Sequence, residues 1–134
     1  MLYKTISNKN INEIVSVMRK KASDYDLIIR NVFNMSKEFR NHGVVVAEDF
    51  EYYSVMVCNP NKAYESIKNN PLRGAILLPP KQIVVYKNND GESVIAYVAL
   101  EKDDIAKIAP DDNDLQNSLN ASGYKIIEFI KNIK

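Results

Sequence analysis

Apolar residues along this chain follow two rhythms, one of period two and one of period three to four, and the changes between them fall at residues that start or stop structural elements. Leu2 to Ser7 alternates and predicts a first strand, with Asn8 or Asn10 placed to cap the helix after it. Ile11, Ile14, Val15 and Met18 recur at helical spacing with Ala22 one turn on, so residues 11 to about 23 are predicted as an amphipathic helix. Leu27 to Phe33 predicts a second strand. Ser36 is expected to cap a short helix through Asn41, closed by His42-Gly43. Val44 to Val46 is β-prone but runs into Glu48, Asp49 and Glu51.

Phe50 to Cys58 is the clearest strand, with Tyr53, Val55 and Val57 on one face and Tyr52, Ser54, Met56 and Cys58 on the other. Asn59 then caps a helix, Pro60 occupies its first turn, and Pro71 forbids continuation beyond about Asn69. Ala75 to Leu78 and Gln82 to Lys87 are predicted as extended segments separated by Pro79-Pro80, which lack ladder donors. Asn88-Asn89-Asp90-Gly91 tolerates positive φ, so Gln82 to Lys87 and Glu92 to Leu100 form a predicted hairpin. Asp103 opens a short helix through Ala109, broken by Pro110. A terminal helix is expected at about 112 to 132, capped by Asp111, Asp112 or Asn113, with Leu115, Leu119, Ile126, Ile127, Ile130 and Ile133 on its apolar face. Gly123 inside that helix costs about 1 kcal/mol relative to alanine, which predicts a slight kink or a close contact there.

The fold class these elements imply is α+β: a single two-layer domain over residues 1–134, with a mostly antiparallel sheet of four to six strands and helices packed on one face. A two-layer arrangement leaves the second sheet face to find cover. Apolar side chains on both faces of the later strands, among them Met56, Tyr86, Ile95 and Tyr97, imply that this face is not left to water, with a second copy of the chain as its cover or, alternatively, the terminal helix folded across it.

Composition narrows the function classes. With 134 residues, 46% of them hydrophobic and 26% charged, the chain has the profile of one globular domain able to build its own core. A formal net charge of +1 with no long run of either sign gives no pointer to nucleic acid or to a membrane surface, so neither is expected as a partner. No stretch reaches the roughly 18 to 20 apolar residues of a membrane span, and the first residues are too polar for a signal peptide. One cysteine excludes an internal disulfide and fits a reducing cytoplasm, the expected compartment.

Candidate chemistry is sparse. Cys58 stands at a strand-to-helix corner, where helical N–H groups favour a thiolate, but a free cysteine also fills small buried spaces without any reactivity. His42 is the only histidine, so a multi-histidine metal site is excluded and its expected role is to cap a helix end. The groups Glu48-Asp49-Glu51 and Asp111-Asp112-Asp114 lack the spacing of a calcium loop, and no metal or cofactor is expected. Asn59-Pro60 and the amides after it offer a weak anion site. Eight tyrosines without a basic stripe are read as strand and interface residues rather than as a base-stacking platform.

Between Tyr52 and Val98, Cys58-Asn59-Pro60, Ala63-Tyr64, Asn70-Pro71, Gly74, Leu77-Leu78-Pro79, Val84-Val85-Tyr86 and Asp90-Gly91 together resemble the signature of the family known as domain of unknown function 302. The resemblance implies a small α/β domain, often dimeric, without a settled activity. Many members carry a second cysteine directly after Leu-Leu-Pro, where this chain has Pro80, so a two-thiol reading does not carry over.

The function expected from the sequence is therefore that of a homodimeric domain that binds a small molecule or a protein partner and is not an equipped enzyme. Its ligand site is expected between Cys58-Asn59-Pro60 and Leu77-Leu78-Pro79, with Tyr64 lining it. The alternative is a thiol-dependent redox or sulfur-handling protein in which Cys58 is the reactive residue.

Overall fold

The computed structural model describes residues 1–77 and 81–134, and within them five strands form one sheet of order β1-β5-β4-β3-β2, antiparallel throughout. The strands are β1 (Leu2–Ser7), β2 (Ile28–Asn34), β3 (Tyr52–Cys58), β4 (Lys81–Lys87) and β5 (Ser93–Val98). Thus β2 to β5 run as a meander and β1 closes its far edge. The helices are α1 (Ile11–Lys21), α2 (Met35–Asn41), α3 (Pro60–Asn69), α4 (Gly74–Leu77), α5 (Lys102–Ile108) and α6 (Asn113–Ile133). The expected α+β class, with its mostly antiparallel sheet and helices on one face, is the fold found.

Local chemistry sets most boundaries. The Asn10 side chain accepts from the Glu13 N–H at 2.9 Å to start α1, and the Asn59 side chain accepts from the Lys62 N–H at 3.2 Å to start α3, with Pro60 next in line. Asp26, at φ 57°, ends the 3-10 turn that follows α1, and Gly91, at φ 76°, turns the β4–β5 hairpin. In β2 the register shifts between Ile29 and Asn31, leaving Arg30 as an extra residue. Without that bulge Ile29 and Val32, three positions apart, would face opposite ways; with it both pack toward the core.

One sheet face is covered by α1 and α6. Val55, Val57, Ile83, Val85, Ile95 and Tyr97 meet Ile14 and Met18 from α1 and Ile126, Ile127, Phe129, Ile130 and Ile133 from α6. The Phe129 ring meets Tyr25 edge-on, with centroids 5.3 Å apart. Of the apolar residues expected on the two faces of the later strands, Met56 and Tyr86 lie on the uncovered face, and Ile95 and Tyr97 lie on the covered face, where strand parity puts them beside Val85 and Tyr3. The terminal helix likewise packs on this face and does not cross the other.

Two further expectations are corrected. α2 is capped by Asn34, whose side chain accepts from the Lys37 N–H at 3.2 Å, while Ser36 lies inside the helix and accepts from Arg40. Residues 74–77 are helical rather than extended, because Ile76 and Leu77 turn toward a second apolar cluster built on Ile105, Leu115 and Leu119. The expected turn at Leu78-Pro79-Pro80 lies outside the described residues.

α6 bridges both clusters, and at Gly123 it passes so close to the sheet that a Cβ would lie 3.1 Å from the Ala99 Cβ. This is the close contact that a glycine inside the helix predicts. Gly123→Val is expected to lower the unfolding free energy by about 1–3 kcal/mol through overpacking, measured by denaturant titration, and adding Ala99→Gly should restore part of the loss. An unchanged midpoint for Gly123→Val would show that the helix does not depend on this approach.

Candidate functional site

An apolar groove of about 400 Å³ opens at the end of the sheet, on the face turned away from the main core and beside the N-terminal half of α6. Its sheet side is made by Leu2 of β1, Val84 of β4 and Ala96 and Val98 of β5; its helix side by Ile76 and Leu77 of α4 and Leu119 of α6. Leu100 and Tyr97 complete the wall, and Lys81 and Gln82 at the start of β4 supply its side-chain amine and amide. Burial pushes the Tyr97 phenol up to about 12, so it stays neutral at any ordinary pH.

Lys81 is the electrostatic feature of the groove. It is the cross-strand partner of Val57, and Cys58, the next and last residue of β3, falls by alternation on the other sheet face. Its ammonium donates to the Ser122 hydroxyl of α6. Burial, reinforced by the like charge of Lys62 and opposed by Cys58, lowers its pKa to about 8.

The groove is held open by a polar clamp at its helical end. Arg73 grips Asp112 with two parallel bonds, Nε to Oδ2 at 2.7 Å and Nη2 to Oδ1 at 2.8 Å. Asp112 Oδ1 also accepts from the Leu115 N–H at 3.0 Å and so caps α6, while Arg73 Nη1 donates to the Ser66 carbonyl at 3.3 Å. The Arg73 hydrogen bonds, followed by the Leu115 N–H, hold the Asp112 carboxyl below the usual carboxylate range. Buried Gln116 adds bonds to the carbonyls of Ala109 and Pro110 at 2.8 and 3.2 Å, fixing α5 against α6.

The site residues expected from the sequence are only partly brought together. Cys58, half-buried, ends β3 and is followed by the Asn59 cap and Pro60, so the strand-to-helix corner stands where it was predicted. Leu77 lines the groove, but Cys58, Asn59, Pro60 and Tyr64 do not. Tyr64 is exposed, with the Lys68 ammonium 5.9 Å above its ring. Leu78 and Pro79 lie outside the described residues.

His42 caps α2, its Nδ1 2.9 Å from the Glu38 carbonyl. Phe39, its ring tilted against Phe50, and the stacked rings of Phe50, Tyr52 and Tyr86 tie that helix to the Tyr52 end of β3. Cys58 is at the opposite end, six residues and about 20 Å of strand away. Among the described residues, no three His, Cys, Asp or Glu side chains gather as a metal site, and no helix is long and apolar enough to cross a membrane. Reading the sequence alone missed Lys81, Val84, Val98 and Leu119 as groove residues; the available signal was a lysine set directly after a Leu-Leu-Pro-Pro run and before an apolar strand.

An antiparallel sheet layered with helices on one face and an apolar groove at its end define a small α+β domain. The chain belongs to the family described as Domain of unknown function DUF302, whose model matches residues 3–133. Its fold is similar to that of an uncharacterized conserved DUF302 protein from Bacillus stearothermophilus, with a TM-score of 0.80, 17% sequence identity, and 99% of this chain and 98% of that chain covered. No curated protein matches this chain.

Two pH effects follow from the shifted groups. Asp112 has a folded pKa below its unfolded value, so the unfolded chain takes up the proton first as pH falls, and stability drops from about pH 4 downward. Asp112→Asn keeps a cap on α6 and should flatten that acid limb of the denaturation midpoint; matching pH profiles for wild type and variant would contradict the clamp. Lys81 has a folded pKa below its unfolded value as well, so above about 8 the folded protein gives up a proton that the unfolded chain retains. Its contribution to stability therefore rises between about pH 8 and the ordinary lysine range near 10.4, and Lys81→Met should abolish that rise in the same measurement.

Proposed function

We propose that the protein is a homodimer that binds a small molecule or partner segment, with the groove beside Lys81 as the binding site and the open sheet face as the contact between subunits. The observation that carries this reading is the continuity of the two. Val98 and Leu2 belong both to the groove wall and to the sheet face that, among the described residues, no helix of the core layer covers. That face is apolar at its exposed β1 edge, where Leu2, Ile6 and Val98 are 70%, 50% and 56% exposed, and Phe33 and Ile28 are exposed on β2 at the opposite edge. A two-fold contact buries one such patch against itself and needs no second surface.

A groove of this size lies within the roughly 300–1,000 Å³ of small-ligand sites. Its wall is mostly aliphatic, with a single amine and a single side-chain amide to orient what enters. Such a lining suits binding better than catalysis, because it offers no pair of groups set to move a proton between them.

A thiol-dependent role for Cys58 is the second reading, favoured by the charge of Lys81 on the neighbouring strand, with which Cys58 interacts electrostatically. It has one sulfur to work with, since Cys58 is the only cysteine of the chain.

Native mass spectrometry of the protein purified from its own source tests these readings together. A dimer carrying a retained small molecule is expected, with Val98→Glu shifting the distribution to monomer; a bare monomer for the wild type would overturn the first reading. Cys58→Ser should keep both the dimer and the retained molecule under the first reading, and a loss of the retained molecule alone would favour the second.

A further inference from the structure

We propose that the groove takes a single-chain aliphatic carboxylate, its hydrocarbon tail lying along Leu77, Val84, Val98 and Leu119 and its carboxylate seated on the Lys81 ammonium. This inference rests on the reading of the groove as a ligand site and adds the chemical class of what fills it.

The charge balance around Lys81 supplies the reason. An ammonium has three donors, and Ser122 takes one of them. Among the described residues no carboxylate lies within ion-pair distance of Lys81, whereas Lys125 has Asp26 at 3.1 Å and Lys131 has Glu128 at 3.1 Å. The charged or titratable groups that bear on it are Lys62 from α3, of the same sign, and Cys58 from β3. A cation stripped of much of its water, beside another cation and without an anion, is costly to the free protein. An incoming anion offsets that cost, and its own desolvation is compensated by an ammonium and a neighbouring hydroxyl already in place.

The size of the positive site selects among anions. One ammonium, the one cation among the described residues that line the groove, matches the single charge of a carboxylate, whereas a phosphate carries about two charges. The wall selects the rest of the ligand. Leucine and valine side chains offer no hydrogen bonds, so what lies along them is hydrocarbon. A volume of about 400 Å³, near the low end for ligand sites, suits one chain and not two. The depressed pKa of Lys81 agrees with this picture, since an amine held near 8 regains its proton affinity when a carboxylate arrives.

Isothermal titration calorimetry of the intact protein with decanoate and with decanol, below their aggregation limits, tests the inference. The wild type is expected to bind decanoate about ten- to a hundredfold more tightly than decanol, and Lys81→Met to bring the two affinities together. That variant should fold and melt at or above the wild-type temperature, because it removes an ammonium lacking a carboxylate. In the wild type alone, the preference for decanoate should fade as pH is raised through and well beyond about 8, while decanol binding stays constant. Equal affinities for the two probes, a preference that survives Lys81→Met, or a preference indifferent to pH would overturn the carboxylate assignment while leaving the groove as a ligand site. If neither probe binds, the groove reading itself fails and the inference with it.

Discussion

The close passage of α6 over Ala99 at Gly123 is the constraint on which the rest of the molecule depends. A helix of 21 residues is about 31 Å long, more than the sheet beneath it can cover. Its C-terminal half, from Ile126 to Ile133, is spent on the main core. Its N-terminal half overhangs the sheet end, where Leu115 and Leu119 gather Ile105, Ile76 and Leu77 into a second cluster. The crossing point fixes how far the overhang stands from the strands, a gap whose outer side, at Leu119, reaches the groove on the open sheet face. A side chain at position 123 would press on Ala99, lift that half of the helix and alter the gap.

The second cluster is small and depends on polar ties for its geometry. The Arg73 and Asp112 pair, the Asp112 cap on the Leu115 N–H and the buried Gln116 amide link α3, α5 and α6 across chain separations that apolar packing alone would leave loose. Asn120 adds a bond from its side-chain amide to the Leu100 carbonyl at 3.0 Å, and Tyr124 donates to Glu101 at 2.7 Å. Directional bonds at five points along one helix specify an orientation, whereas the main core, with its larger buried area, supplies most of the cohesion. The division explains why the chain can hold an open apolar groove at one end: the walls are fixed by hydrogen bonds that do not require the space between them to be filled.

Strand rhythm made most of the architecture legible in advance. The boundaries of β1, the Asn59-Pro60 start of α3, the hairpin at Gly91 and the terminal helix all follow from caps, prolines and alternation that act within a few residues. The failures have a common origin in long-range packing. Residues 74–77 look extended locally, yet Leu77 and Ile76 have a helix to meet in Leu119, and that contact decides their conformation. Which face Ile95 and Tyr97 take is fixed only by the register across β4 and β5, which depends on where Gly91 places the turn. Cys58 is a matter of neighbours: its corner is readable from Asn59 and Pro60, but its place one residue past the partner of Lys81 exists only once β3 and β4 pair. Lys81 itself looks like any surface lysine until the strand that carries it is laid against Ser122.

A lysine in this setting bears on why the domain has a groove at all. If the only demand were stability, an aliphatic residue at position 81 would join Val84, Leu77 and Leu119, and the groove would close on itself as apolar surfaces do. An ammonium at its mouth opposes that collapse, since moving the walls together removes still more water from the charge. The same group that destabilises the empty protein therefore keeps the space available, and its cost is largest in the state that has nothing bound. Strain of this kind, uncompensated charge beside unfilled apolar volume, is what a site looks like when its ligand supplies the missing half of the interaction. It also ties the open sheet face to the groove, because Val98 and Leu2 serve both, so a second subunit laid against that face would raise the rim of the groove and deepen it. Occupancy and association would then reinforce one another through shared residues, without any change of fold.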